Sequence, residues 1–226
     1  MPILRKDGRK IYFAHVPKCA GSSLYNLLMA EGWHMANFGR PQGPLGTTGT
    51  AKMIRDQFGI TDLQKEGDYS GIVTSVQHVT ADIWGKWGPF DSSFALIRHP
   101  VERFRSAYSY RYVTQVAKAN LKHTPAILAE FHSLMAEVFK KELPGAPHTL
   151  DNHFRPMLDF LMPDTKVYAL EHGGIEQLRE DLGLAGPLPH DKKSESYVDL
   201  SPEILEFVHQ HYEDDIEWFE ETFPPQ

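Results

Sequence analysis

Cysteine is almost missing from this chain. Of 226 residues only Cys19 carries a thiol, which excludes an intramolecular disulfide and fits a reducing compartment. Long apolar runs are missing too. None approaches the ~18 residues of a membrane span, and the opening MPILRKDGRK has no apolar stretch of the kind a signal peptide needs. These absences lead us to expect a cytoplasmic protein without a membrane segment. Positive charge is also in deficit, with 23 Lys and Arg against 30 Asp and Glu, a net charge of −7. That balance argues against a nucleic-acid partner or a polyanionic chain. The twelve histidines show neither an HExxH pattern nor a Cys/His quartet. His209 and His211 would stand about 200° apart on a helix, so no metal is expected. Repeats and heptads are absent, and the length suits one domain over residues 1–226.

What is present centres on Tyr12 to Leu28, YFAHVPKCAGSSLYNLL. A short apolar run, Ile11 to Ala14, reads as a buried strand. A turn of small residues follows, then a helical pattern with Leu24, Leu27 and Leu28 at core spacing. A strand, a small-residue loop and a helix start make an anion site, because the first helical turn leaves N–H groups unpaired at its positive end. Gly21 lets backbone approach the anion. Ser22 and Ser23 add hydroxyl donors, and Lys18 adds a full charge. The loop departs from the Walker pattern, since Lys18 precedes Gly21 by three residues instead of following the last glycine.

A second segment, Phe94 to Tyr108 (FALIRHPVERFRSAY), repeats the plan: an apolar strand, a charged residue at its end, Pro100 where a helix starts, then a helix. Arg98 falls just beyond the carboxyl end of a strand, where open α/β sheets hold ligands. Ser106, eight residues on, lies roughly two helical turns along. An Arg fork with a hydroxyl suits a second phosphate.

Elsewhere the pattern alternates. We expect a helix over 51–58, a strand over 70–76 ending at Gln77-His78, and a helix from about Val101 to Ala117. A core stripe runs through Ile127, Leu128, Phe131, Leu134, Met135, Val138 and Phe139. A helix over Asn152–Met162, a strand over Lys166–Leu170, a helix over Ile175–Leu182 and one final helix from Pro202 through Phe219, capped by Ser201, complete the chain. Strands separated by helices imply the α/β class: a single P-loop-like domain whose central parallel sheet is flanked by helices on both faces.

The pair HVPKCAGSSL and LIRHPVERFRSAY resembles the two cofactor signatures of sulfotransferases that use 3′-phosphoadenosine-5′-phosphosulfate (PAPS). More narrowly, it resembles the branch of carbohydrate O-sulfotransferases of the heparan and chondroitin type. The resemblance implies that Lys18, Ala20, Gly21, Ser22 and Ser23 bind the 5′ end of the donor and that Arg98 and Ser106 bind its 3′-phosphate. Cys19 and His99 stand where other members often carry Thr and Asp. Weaker similarity through 151–155 implies acceptor contact by His153 and Arg155, and that around Lys193 and Ser194 implies a late loop closing over the nucleotide.

Sulfuryl transfer needs a held donor, a deprotonated acceptor and compensation for charge on the leaving phosphate oxygen. Lys18 is the candidate for that compensation. The base calls for a histidine. His78 is the first candidate, following a strand expected beside the one that leads to Lys18; its Gln-His pair resembles a Gly-His whose histidine is the base in the carbohydrate branch. His15 is the rival. The expected reaction moves a sulfuryl group from PAPS to a hydroxyl of a small-molecule or carbohydrate-like acceptor, with the negative charge favouring a small or weakly charged one. The alternatives are a P-loop-like kinase, which would require Mg²⁺, and a nucleotide-binding module without catalytic activity.

Overall fold

The fold is taken from a computed structural model that describes residues 3–35, 78–84, 88–144, 148, 150–187 and 198–224. The chain divides into two compact units. One comprises Met1–Ile97 and Met157–Asp191, the other Arg98–Pro156 and Lys192–Gln226.

The first unit is built on a sheet of five strands among the described residues: β1 (Ile3–Lys6), β2 (Arg9–Phe13), β3 (His34–Met35), β4 (Ser92–Ile97) and β5 (Lys166–Ala169), in the order β3-β1-β2-β4-β5. The α/β class holds. The parallel sheet expected from sequence covers β2, β4 and β5, with Ile11 opposite Ser92 and Phe94 opposite Lys166. Antiparallel β1 and β3 extend it, so the whole is mixed. The hairpin β1–β2 turns through Asp7 and Gly8, both at positive φ (51° and 77°). That is the geometry Asp-Gly adopts most readily between two strands. β2 is bounded by β1 on one edge and β4 on the other. The strand expected over 70–76 lies outside the described residues, as does the helix expected over 51–58.

Helix α1 (Gly21–Ala30) buries Leu24, Leu27 and Leu28 at the predicted spacing. The one-turn α2 (Ala81–Trp84) follows His78. After β5, helix α5 (Gly174–Leu182) packs so closely on the sheet that a Cβ at Gly174 would lie 2.6 Å from the Ala169 carbonyl oxygen. The Tyr12 hydroxyl, buried within this core, donates to the carbonyl of Phe160 at 3.1 Å.

The second unit is helical: α3 (Pro100–Lys118), α4 (Pro125–Glu137), α6 (Pro202–His211) and α7 (Glu213–Thr222). Thr124 and Ser201 cap α4 and α6 with their hydroxyls, and a proline follows each cap. The core gathers Phe104, Tyr108, Phe131, Phe139, Phe154, Ile204, Val208 and Tyr212. Phe139 stacks on Phe207 at 4.7 Å between ring centroids. Leu134, read from the stripe as core, is 54% exposed, because the α4 stripe buries only Phe131 and Met135 fully.

Two expected helices change form. The helix over Asn152–Met162 is absent: Leu150, Asp151 and Asn152 take positive φ (60°, 61°, 59°), and only Leu158–Phe160 winds into a single 3-10 turn. Asp and Asn tolerate the left-handed region best among non-glycines, and Pro156 restricts Arg155 away from the helical region. The terminal helix breaks at Tyr212 (φ −113°, ψ 24°) into α6 and α7. The acidic run Glu213-Asp214-Asp215 then sits at the positive start of a new helix.

Candidate active site

In the first unit, the chain leaves β2 with the Ala14 N–H still donating to the Phe94 carbonyl at 2.8 Å. Parallel pairing brings the carboxyl ends of β2 and β4 to one edge of the sheet. The loop that follows is strained: Lys18 (φ 70°) and Ala20 (φ 57°) are both left-handed, while Cys19 between them is not. Alternation of this kind turns successive N–H groups toward one side and makes a concavity for an anion. Strain in non-glycine residues is typical of ligand-holding backbone. Ala20 is the N-cap of α1 and supplies no side-chain hydrogen bond, so the helix start has no side-chain cap. Ser22 is exposed and Ser23 half-buried, both in its first turn. Cys19 points the other way, 1% exposed, with Sγ 3.8 Å from the Pro17 carbonyl. Its contribution is packing.

Gly21 has a second reason to be glycine. A Cβ there would stand 1.8 Å from Nε2 of His15. The His15 ring fills the space that a side chain at position 21 would occupy. Gly21 itself is not at positive φ, so the requirement is one of space. His15 also lies 5.4 Å from the ring of Phe13 and 5.2 Å from that of His78. The two histidines weighed from sequence as rival bases are therefore neighbours, with His78 5% exposed and His15 half-buried above the helix start.

In the second unit, Arg98 follows directly on β4 and is half-buried. His99 is the N-cap of α3, and Pro100 takes the first helical position as its sequence predicts. The His99 ring packs edge-on against Phe219, with Nε2 3.9 Å from Glu220, so the residue after Arg98 leans on α7. Ser106 lies on α3 and is 6% exposed. Tyr108 and Tyr112 are core, and their hydroxyls meet Nδ1 of His132 and His123 at 2.7 and 2.6 Å. Burial pushes the Tyr108 phenol well above its ordinary value and lowers His132. Tyr110, between them in sequence, is 41% exposed and stands 5.7 Å from the ring of His153.

His153 and Arg155 sit on the irregular segment after the left-handed turn, not on a helix, and both are half-buried. Lys193 and Ser194 lie outside the described residues, as does Gln77. Two residues went unmarked in the sequence. Arg103, 0% exposed, donates to the carbonyls of His153 and Arg155, and Tyr212, 1% exposed, donates to that of Phe154. The available signal was an arginine on the helix face that also carries Phe104, Ala107 and Tyr108.

An open α/β sheet with a strained small-residue loop running from a strand end into a helix start is an arrangement suited to an anionic group. The sequence comparison names the group of proteins. Residues 1–182 match the model of the sulfotransferase family, and the chain belongs to that family. Its general activity is sulfuryl transfer. No curated protein and no solved structure matches the chain.

Proposed function

We propose that this sulfotransferase takes PAPS as donor and transfers its sulfuryl group to a hydroxyl of a small-molecule or carbohydrate-like acceptor, in the manner of the carbohydrate O-sulfotransferase branch. The observation that carries the reading is the loop of Lys18 to Ser23, whose alternating backbone and helix start without a side-chain cap suit a phosphosulfate. Its products are a sulfate ester and adenosine 3′,5′-bisphosphate. Lys18, Ala20, Gly21, Ser22 and Ser23 receive the 5′ end, and Lys18 compensates charge on the bridging oxygen as the S–O bond to phosphate breaks. Arg98 and Ser106 receive the 3′-phosphate, the guanidinium fork and hydroxyl being suited to it. Lys193 and Ser194 close over the nucleotide.

His78 takes the proton from the acceptor hydroxyl, and the acceptor oxygen forms the new bond to sulfur. The ring of His15 lies beside it, 5.2 Å away between ring centroids. His153 and Arg155 contact the acceptor. In this reading no step is assigned to a metal.

Calorimetric titration with adenosine 3′,5′-bisphosphate, compared with 5′-AMP and with ATP plus Mg²⁺, tests the donor. Micromolar binding that depends on the 3′-phosphate and weakens at least tenfold in both Lys18→Ala and Arg98→Ala is the expected result. A preference for ATP with Mg²⁺ would replace the assignment with a kinase. His78→Ala should keep bisphosphate affinity and lose transfer from PAPS; retained transfer would remove His78 as the base.

A further inference from the structure

The segment from Leu150 to Arg155 has no helix or strand of its own, yet it is held at three consecutive carbonyls by two buried side chains. Arg103 donates through Nη2 to the Arg155 carbonyl at 2.7 Å and through Nη1 to that of His153 at 3.4 Å. The Tyr212 hydroxyl donates to the carbonyl between them, on Phe154, at 2.5 Å. Both donors are sealed from solvent, and the Arg103 guanidinium lies 5.3 Å from the centre of the Tyr212 ring. Burial pushes the Tyr212 phenol up; the nearby Arg103 cation pulls it down and the buried carboxylate of Asp215 pushes it up again. A cation, a phenol and a carboxylate thus share one buried cluster, drawn from α3 and α7 and from Tyr212 at their junction with α6.

The side chains of the held segment alternate. Asn152 and Phe154 point inward, 3% and 1% exposed, while Asp151, His153 and Arg155 are half-buried. Three left-handed residues, Leu150 to Asn152, open the segment and give it a shape it would not keep unaided. We infer that Arg103 and Tyr212 are positioning residues: by gripping the carbonyls of residues 153 to 155 they fix the direction in which His153 and Arg155 are presented. The inference deepens the proposed function, since it rests on that reading for the claim that those two side chains meet the acceptor. The grip itself is independent of it. A lysine at 103 would keep the charge but lacks the planar fork that reaches two carbonyls at once. A phenylalanine at 212 would keep the ring and lose one donor.

Proton NMR of the histidine rings tests the grip, because the His153 ring lies 5.7 Å from that of Tyr110, whose ring current is expected to shift its signals. The His153 signal is assigned by its disappearance in His153→Asn. In Arg103→Lys and in Tyr212→Phe that signal moves toward the position of an exposed histidine, while the His132 and His123 signals, in the same unit, stay in place. Hydrogen exchange over 150–156 speeds at least tenfold relative to α4. A core variant outside the grip, Phe139→Leu, moves neither readout selectively. Should Arg103→Lys fail to fold, Tyr212→Phe alone carries the test. A His153 signal and a 150–156 exchange pattern unchanged in the folded variants would overturn the inference. Adenosine 3′,5′-bisphosphate titration of wild type separates the two ideas: no binding there removes the donor assignment and leaves the grip standing or falling on the NMR result.

Discussion

At the scale of single residues, Gly21 shows how one position answers two demands. Sequence logic assigns it to backbone approach toward an anion, and the structure adds that the His15 ring occupies its missing side chain. Gly21→Ala must push His15 off Phe13 and His78 or distort the loop, and adenosine 3′,5′-bisphosphate affinity should fall at least tenfold in titration. The same change in a His15→Ala background should cost much less, because the colliding ring is gone; an equal loss in both backgrounds would return the glycine to its backbone role. Position 15 was legible only as a histidine near the loop. That it leans over the helix start, and touches the other candidate base, depends on side-chain packing that no spacing rule encodes. Arg103 was hidden for the same reason: its partners are backbone carbonyls about fifty residues on, and carbonyls leave no mark on sequence.

At the scale of elements, strongly periodic segments were readable and irregular ones were not. The strand into Phe13, the helix from Gly21, the strand Ser92–Ile97 and the helix after Pro100 follow from apolar spacing and proline position. β1 is marked only by the Asp7-Gly8 turn, because the basic pairs Arg5-Lys6 and Arg9-Lys10 that flank it interrupt the apolar pattern. The helix expected over Asn152–Met162 gives way to an irregular segment that begins in a left-handed turn at 150–152, and the carbonyls of 153–155 are held from α3 and Tyr212 by bonds that local spacing does not encode. Two predictions belong here. Phe139→Ala removes a ring that packs on Phe104, Phe154 and Phe207, and should cost about 3–5 kcal/mol in denaturant unfolding. The second concerns the junction of β5 and α5. Asp181 accepts from Lys166 and from Tyr168, at 2.7 and 2.6 Å, and these bonds lower its pKa from 3.8. A carboxyl depressed on folding stabilises above its unfolded pKa and loses that effect as pH falls through the folded one. Asp181→Asn should therefore be less stable than wild type at neutral pH. The difference should shrink below about pH 4, where chemical denaturation across pH would show the two curves converging.

At the scale of the whole molecule, the family match ends at residue 182, but the second unit does not. Its core takes Ile204, Val208 and Tyr212 from α6 and its end, and Phe219 is buried on α7. Ile204, Val208 and Tyr212 pack in one core with helices α3 and α4, which end more than sixty positions earlier in the chain. A chain stopped at 187 should expose the apolar faces of α3 and α4, which dye binding and loss of cooperative unfolding would report; a truncated chain that still unfolds in one sharp step would show that α6 and α7 are dispensable. Among the described residues no helix is long and apolar enough to cross a membrane.

The hairpin at the amino end also sets an order of events as the chain is made. β2 carries the loop of Lys18, and its partners lie at very different distances along the sequence: Tyr12 faces Ile3 in β1 nine residues back, but Ser93 in β4 eighty-one residues ahead. Closing the longer loop costs about 2 kcal/mol more by chain statistics. On a ribosome, β1 is already there when β2 emerges, whereas β4 has yet to be synthesised. β1 is therefore the strand's near neighbour along the chain and β4 its distant one. Once both are present, the strand is interior on both sides.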